Sequence, residues 1–254
     1  RFPRRTGGGN ERRTGRGNKR RSPKLLRPLA LMVVALTAML GAGPDNSGKA
    51  VSLFDGKTLA GWQGDAKFWR VEDGQIVAGK AEDKQPHNDF LATEKSYSNF
   101  DLHLKLKLVG TEGFVNSGIQ FRSLRVPNNF EMSGYQADAG EGYWGALYDE
   151  TRRDMVLMPP MDPAALKKVF KPQDWNDYRV RADGPHIETW INGVKCVDYT
   201  EKLPNIAQDG HIGLQIHGSG KTVVYFKDIT IEELPPTADA PTWEKLGGYK
   251  KWKK

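Results

Sequence analysis

The chain has few of the residues on which common enzyme chemistries depend. Its 254 residues include one cysteine, Cys196, so no intrachain disulfide can form, and no Cys/His cluster has the spacing of a zinc site. A serine hydrolase elbow and a glycine-rich phosphate loop are missing as well. Long amphipathic helical patterns are also missing from residues 51–234. These absences exclude several enzyme classes and leave a protein of strands and turns.

Basic residues are scarce in the body of the chain, although the whole chain carries a net charge of +7. Residues 1–28 contribute +10 and residues 241–254 contribute +4, which leaves −7 for residues 29–240. A nucleic-acid-binding surface needs clustered basic residues on the folded domain itself. The charge distribution therefore argues against nucleic acid as a partner.

The amino terminus has the pattern of an export signal. A basic stretch precedes the uncharged residues 29–40, and small residues follow at 41–43. Twelve residues in a helix span about 18 Å, which is less than the roughly 30 Å hydrocarbon core. We therefore predict a basic segment and signal peptide over residues 1–43, a linker over 44–50, and export to the periplasm or the extracellular space. The alternative is an uncleaved membrane anchor in the same segment, which would be the only contact with a membrane.

Residues 51–234 have the alternation of short β-strands. In residues 100–109, Leu102, Leu104 and Leu106 share one face of an uninterrupted alternation. Dipeptides typical of tight hairpins separate several such segments: Asp73-Gly74, Asp183-Gly184 and Asn192-Gly193. This pattern predicts an all-β sandwich of two antiparallel sheets over residues 51–234. We expect the basic, aromatic tail 235–254 to be disordered.

One long segment, residues 123–171, is glycine-rich and too long for a hairpin loop. It contains the one predicted helix, which begins after Asp162 as N-cap with Pro163 at the first helical position. It also carries Tyr148 and Glu150. Long ordered loops on a rigid sandwich often carry function, so we expect this segment to lie over the functional face.

Three segments carry polar residues of one parity, opposite to their apolar neighbours: Gln120 and Arg122, Gln136 and Asp138, and Gln215 and His217. Successive side chains of a strand point to opposite faces, so these six residues would share one polar surface if the strands are adjacent. Amides with an acid, an imidazole and a guanidinium suit sugar hydroxyls. The alternative is three ordinary strands with solvated backs.

An ordered set of short motifs resembles the 3-keto-disaccharide hydrolase family. The motifs include Leu53-Phe-Asp-Gly-Lys57, Gly61-Trp62, Asn116-Ser-Gly-Ile-Gln-Phe-Arg122, Gly145-Ala-Leu-Tyr148, Trp190-Ile-Asn-Gly193 and Gln215-Ile-His-Gly218. The resemblance implies a concanavalin-A-like jelly roll and exported proteins that act on glycosides oxidised at C3 by a separate oxidoreductase. One departure concerns Gly134-Tyr-Gln-Ala-Asp138, where many members have Gly-Tyr-Glu-x-Gln. The family role of that acid therefore does not transfer directly.

The substrate that the resemblance implies suggests roles for the polar residues. A ketone at C3 acidifies the C2 hydrogen, so cleavage needs a base, an enolate stabiliser and an acid for the leaving oxygen. His217 is the candidate base and Arg122 the candidate enolate stabiliser, while Asp138 or Glu150 would orient the histidine or act as the acid. Hydroxyl-binding and lid roles fall to four residues: Gln120, Gln136, Gln215 and Tyr148.

Three other interpretations use the same residues or fold. A divalent metal ion held by His217, Asp138 and Glu150 could polarise the ketone in place of Arg122. A non-catalytic, lectin-like module could use the same amide-rich surface to bind glycan. An endoglucanase on this fold would need acids in a Glu-x-Asp-x-x-Glu run, which the sequence does not contain.

Overall fold

The computed structural model of the chain describes residues 48–250, which form antiparallel sheets and one short helix. The predicted signal peptide, the alternative membrane anchor and most of the linker lie outside the described residues. No helix within residues 48–250 is long and apolar enough to cross a membrane.

Fifteen strands and one helix follow one another within residues 48–250. They are β1 (Val51–Ser52), β2 (Trp62–Gln63), β3 (Trp69–Glu72), β4 (Gln75–Gly79), β5 (Asp89–Tyr97), β6 (Phe100–Glu112), β7 (Asn116–Arg125), β8 (Met132–Gly140), β9 (Leu147–Glu150), β10 (Met155–Met158), α1 (Pro163–Val169), β11 (Asn176–Asp183), β12 (His186–Ile191), β13 (Val194–Thr200), β14 (Gly210–Ile216) and β15 (Lys221–Glu233). The eight-stranded sheet has the order β13-β12-β11-β6-β15-β4-β3, with β1 paired to β15. The seven-stranded sheet has the order β10-β9-β8-β7-β14-β5-β2.

The hydrophobic core lies between the two sheets, as the alternation predicts. Leucines of β6 and apolar residues of β7 and β14 are 0–3% exposed and belong to one cluster: Leu102, Leu104, Leu106, Ile119, Phe121, Leu214 and Ile216. Each strand buries one row of side chains because the opposite sheet covers that face. The all-β sandwich prediction is confirmed.

The predicted turns and the helix are also present. Asn192 and Gly193 both have positive φ (48° and 82°), as a two-residue hairpin between β12 and β13 requires. At the start of α1 the Asp162 carboxylate accepts a hydrogen bond of 2.8 Å from the backbone N–H of Ala165, and Pro163 follows the cap.

A break in register moves Arg122 away from the polar surface predicted for it. The pairing of β7 with β8 shifts directly after Phe121, and Arg122 has a positive φ of 48°. Its buried guanidinium donates hydrogen bonds to the carbonyl oxygens of Ser98 (2.7 Å) and Gly184 (2.6 Å) and to Oδ1 of Asn99 (2.9 Å). The prediction that Arg122 shares a surface with His217 is therefore wrong. Arg122 instead ties the β5–β6 and β11–β12 turns to β7.

Replacing Arg122 should test this structural role. We expect Arg122→Lys to lower the free energy of unfolding by about 2–4 kcal/mol, because a lysine ammonium cannot reproduce a planar fork that satisfies three separate acceptors. Urea unfolding measures the loss, and Arg181→Lys, at a more exposed ion pair, serves as control. A selective loss of turnover without a loss of stability would contradict the assignment.

The C-terminal tail packs onto the sandwich as far as Lys250. Trp243 is 9% exposed; its backbone N–H donates to Oδ1 of Asp209 (2.8 Å) and its indole N–H to the carbonyl oxygen of Arg122 (3.2 Å). The prediction of a disordered tail is therefore wrong for residues 235–250, because a buried indole with two anchoring hydrogen bonds fixes them. Residues 251–254 lie outside the described part.

Candidate active site

A cavity of about 620 Å³ lies on the side of the seven-stranded sheet that faces away from the core. Acids, aromatic rings and polar groups line it: Asn88, Phe114, Asn116, Val126, Asn129, Glu131, Asp138, Tyr143, Tyr148, Glu150, Thr151, Asp154, His217 and Tyr249. Four of these residues are acids, and none of the described lining residues is lysine or arginine. The cavity therefore suits a neutral or cationic ligand better than an anionic one.

Glu150 is held in this cavity by two glutamines beneath it. The side-chain amides of Gln136 and Gln215 donate to the same oxygen, Oε2 of Glu150, at 3.2 and 3.3 Å. Both glutamines and Gln120 are only 0–1% exposed and do not line the cavity. These three residues therefore do not contact a ligand in the cavity directly, contrary to their predicted hydroxyl-binding role, and β9 places Glu150 over Gln136 and Gln215. Gln136 and Gln215 position Glu150 instead.

Glycines on neighbouring strands make room for this amide layer. A Cβ atom at Gly118 would lie 2.5 Å from Cδ of Gln136, and one at Gly213 would lie 3.0 Å from Cβ of Gln120. A larger residue at Gly118 would displace Gln136 and with it one donor to Glu150.

Two carboxyl groups of the cavity retain protons near neutral pH. Burial, together with the nearby negative charges of Glu131 and Asp138, raises the pKa of Glu150 to about 8. Burial also raises the pKa of Asp138 to about 7, against hydrogen bonds from Asn116 Nδ2 (2.9 Å) and the backbone N–H of Ala139 (2.8 Å). Protonated carboxyl groups can donate hydrogen bonds or act as general acids.

The raised pKa of Asp138 should lower stability as the pH rises. In the folded state this pKa is about 7, above the ordinary 3.8, so stability is highest below that ordinary value and falls as the pH rises through 7. We expect Asp138→Asn to raise the free energy of unfolding by about 1–4 kcal/mol near pH 9 and to change it little near pH 4. Urea unfolding at both pH values measures this.

Asp101 provides a control of opposite sign. Burial alone would raise the pKa of Asp101, but the ion pair with Arg179 outweighs burial and lowers this pKa. Asp101→Asn should therefore lower stability near pH 9. A gain in stability for both variants, or for neither, would contradict the role of the buried Asp138 charge.

His217 presents a neutral imidazole to the same cavity. Its Nδ1 lies 2.8 Å from the carbonyl oxygen of Gly218, which can only accept, so Nδ1 carries the proton and Nε2 keeps its lone pair. Burial lowers the pKa of His217 below 6.5. The ring of Phe114 packs edge-on at 4.6 Å. His217 therefore has the protonation state that a general base requires at neutral pH.

Aromatic rings form one wall of the cavity. Phe114 packs edge-on against Tyr143 at 6.0 Å, and Tyr143 against Tyr148 at 6.4 Å. Burial and the charge of Asp154 raise the pKa of Tyr148, whose hydroxyl lies 3.4 Å from Oδ1 of Asp154. Tyr148 therefore remains a protonated donor, and the wall offers ring faces to the CH groups of a sugar.

Residues 49–232 match the family described as the 3-keto-alpha-glucoside-1,2-lyase-like domain. The chain belongs to this family. The match covers nearly the whole sandwich, from before β1 to within β15. The resemblance seen in the short motifs is confirmed. No curated protein matches the chain in sequence.

Several solved structures share the fold of this chain. A protein named as a glycosyl hydrolase from Parabacteroides distasonis is 25% identical, with a TM-score of 0.55 over 73% of this chain and 94% of that chain. A second such protein from the same organism is 23% identical, with a TM-score of 0.52 over 73% and 100%. The carbohydrate-binding module CBM66 from Bacillus subtilis is 14% identical, with a TM-score of 0.53 over 68% and 96%. The fold is thus the jelly-roll sandwich of glycosyl hydrolase-like and carbohydrate-binding proteins, and this family member is a carbohydrate-active domain.

The three predicted metal ligands line the cavity of this family member, but they do not form a compact cluster. Among residues 48–250, the one group of three potential ligands whose atoms lie within 4.8 Å of one another is His186, Glu188 and Asp198, on the eight-stranded sheet. There Lys195 Nζ binds Glu188 at 2.5 Å and Asp198 at 2.8 Å. The Lys195 ammonium therefore already occupies the carboxylates of Glu188 and Asp198 and offsets part of their charge.

Sequence reasoning missed several lining residues, namely Phe114, Glu131, Tyr143 and Asp154. Glu131, Tyr143 and Asp154 lie within residues 123–171, the long segment that was expected to lie over the functional face, so the aromatic and acidic content of that segment could have signalled them. Glu131 precedes β8 and binds Asn88 Nδ2 at 3.1 Å, a contact between residues far apart in sequence that no local pattern encodes.

Proposed function

We propose that this protein cleaves the glycosidic bond of 3-keto-glucosides by removal of the C2 proton, elimination of the leaving group and hydration. The observation that carries the proposal is the pairing of a neutral imidazole, His217, with a carboxyl group of pKa about 8, Glu150, in one cavity. Family membership supports the 3-keto substrate class. Such a substrate would be supplied by an oxidoreductase acting at C3 of a glycoside, and export would place this step outside the cytoplasm.

The first step removes a proton from carbon. A ketone at C3 lets the carbanion at C2 delocalise onto oxygen, so Nε2 of His217 can take the C2 proton. With Arg122 placed elsewhere, the donors for the developing enolate oxygen are the protonated Asp138 carboxyl and the Tyr148 hydroxyl. A protonated carboxyl in a buried site is an effective donor of this kind.

The second step transfers a proton to the leaving oxygen. Glu150 gives up its proton as the C1–O bond breaks and the C1–C2 double bond of an enone forms. Water then adds to C1, with its proton taken by the Glu150 carboxylate, while His217 returns its proton to C2. Both residues end in their initial states, and the net reaction is hydrolysis. This route does not need the paired carboxylates of ordinary glycosidases.

A divalent cation also fits the charge of this cavity. Four acids line it without a described lysine or arginine, and an imidazole and carboxylates are ligands for such ions. The ligand atoms of His217, Asp138 and Glu150 do not all lie within 4.8 Å of one another, so these side chains would have to move together to hold the ion, which when bound would polarise the ketone oxygen. Assays in the presence of chelator and of added divalent ions distinguish polarisation of the ketone by a metal ion from polarisation by the Asp138 and Tyr148 hydrogen-bond donors.

Incubation with 3-keto-glucosides tests the proposed reaction. We expect aglycone release with transient enone absorbance, and solvent deuterium at C2 during partial turnover. Equal activity on ordinary glucosides would contradict the mechanism, because nothing would then acidify C2.

The alternative function is a non-catalytic glycan-binding module, which the wall of Phe114, Tyr143 and Tyr148 favours because stacking rings bind sugars without chemistry. Measurable glycan binding with no turnover of any keto-glycoside, with or without added metal, would establish this function instead.

A further inference from the structure

The C-terminal tail reaches the cavity although it lies outside the family domain. The family match ends at residue 232, whereas Tyr249 is among the residues that line the cavity. Its side chain is half-buried there. The cavity of this protein is thus built from the family sandwich together with an added segment, residues 235–250.

Successive hydrogen bonds fix this segment to the sandwich. Asn99 Nδ2 donates to the carbonyl oxygen of Pro235 (2.7 Å), and the backbone N–H of Gln208 donates to that of Pro241 (2.8 Å). Trp243 adds its bonds to Arg122 and Asp209, described above. Beyond this anchor, the N–H of Gly248 bonds to the carbonyl oxygen of Trp243 (2.7 Å), which turns the chain back just before Tyr249. These hydrogen bonds therefore fix the backbone that leads to Tyr249.

Strand register shows at which end of the sheet the segment is anchored. In β7 and β14, Asn116 and Ile216 lie at one end, next to His217, while Arg122 and Gly210 lie toward the other end. The bonds of Trp243 to Arg122 and Asp209 belong to this second end. Tyr249 lies six residues beyond this anchor and lines the same cavity as His217.

We propose that Tyr249 forms a stacking subsite for a ring-shaped leaving group, so that the C-terminal segment completes the active site. This inference rests on the proposed function, in which the bond breaks beside His217 and Glu150. A cavity of about 620 Å³ lies within the range that holds drug-sized ligands, which leaves room for a ring beyond the keto-sugar. The flat face of tyrosine binds an aryl ring or the CH face of a second sugar.

Tyr249→Ala tests the subsite with 3-keto phenyl glucoside and 3-keto methyl glucoside as paired substrates. We expect KM for the phenyl substrate to rise about three- to ten-fold, the range of one stacking contact, while KM for the methyl substrate and both kcat values stay nearly constant. Tyr249→Phe should retain the wild-type ratio, because it keeps the ring. A 3-keto disaccharide, as a third substrate, shows whether a sugar leaving group uses the same contact.

Binding of the unoxidised phenyl and methyl glucosides, measured by calorimetry, separates this inference from the proposed reaction. If the protein turns over no keto-glycoside, the ratio of the two affinities still reports on the subsite. Tyr225→Ala, a half-buried tyrosine on the eight-stranded sheet, is the matched control. An unchanged ratio in Tyr249→Ala, an equal change in Tyr225→Ala, or no phenyl preference in the unaltered protein would overturn the inference.

Discussion

His217→Ala is expected to lower kcat on a 3-keto-glucoside by about 10²–10⁴-fold while changing KM little. The imidazole donates from Nδ1 to the carbonyl oxygen of Gly218, so only Nε2 is available to the substrate. Its loss removes the group that takes the C2 proton but leaves the aromatic wall and the carboxyl groups in place. Exchange of the C2 hydrogen with solvent deuterium, followed by NMR, should be lost in parallel with turnover.

The pH dependence of the unaltered enzyme gives a second measure of the same role. The base must be neutral, and burial lowers the pKa of His217. The acid limb of the kcat/KM profile should therefore have its midpoint below pH 6.5. His103→Ala is the control, because His103 is a largely exposed histidine that pairs with Asp101 on the other sheet. Full activity in His217→Ala, or an equal loss in His103→Ala, would contradict the assignment of His217 as base.

The burial pattern of the sandwich could be predicted because it depends on local alternation. Leu104 and Ile119 need only the two-residue period of a strand and a second sheet to cover them. For Arg122, local alternation predicted the wrong face of the sheet. A bulge after Phe121 changes the side-chain direction, and no composition rule marks the position of that bulge.

The composition of the site was more predictable than its layering. The glutamine positions on the outer face of the sheet were predicted correctly, but Glu150 covers them only because β9 pairs with β8. The raised pKa of Glu150 likewise depends on burial and on the charges of Glu131 and Asp138, which only the fold brings near it. Trp243 was expected to be solvated. Its burial could not be predicted, because its contacts with Asp209 and Arg122 also join distant parts of the chain.

Glu150→Gln should lower kcat by about 10²–10⁴-fold for a substrate with a poor leaving group, because the leaving oxygen then loses its proton donor. The amide oxygen of the new side chain can still accept from Gln136 and Gln215, so the fold and substrate affinity should be largely retained. Because Asp138 must also be protonated to donate, the alkaline limb of the unaltered enzyme should contain one ionisation near pH 7 from Asp138 and one near pH 8 from Glu150, and only the second should be lost in the variant.

Leaving-group dependence distinguishes a general acid from a residue that only shapes the cavity. The leaving group of a 3-keto nitrophenyl glucoside departs as a stable phenolate and needs little protonation. Glu150→Gln should therefore slow cleavage of this substrate much less than cleavage of a 3-keto alkyl glucoside. Glu112→Gln, at an exposed carboxylate paired with Lys221, should leave both substrates unaffected. Equal losses on the two substrates, with the alkaline limb intact, would show that Glu150 does not protonate the leaving oxygen and would move that role to Asp138, the other carboxyl group that burial keeps protonated.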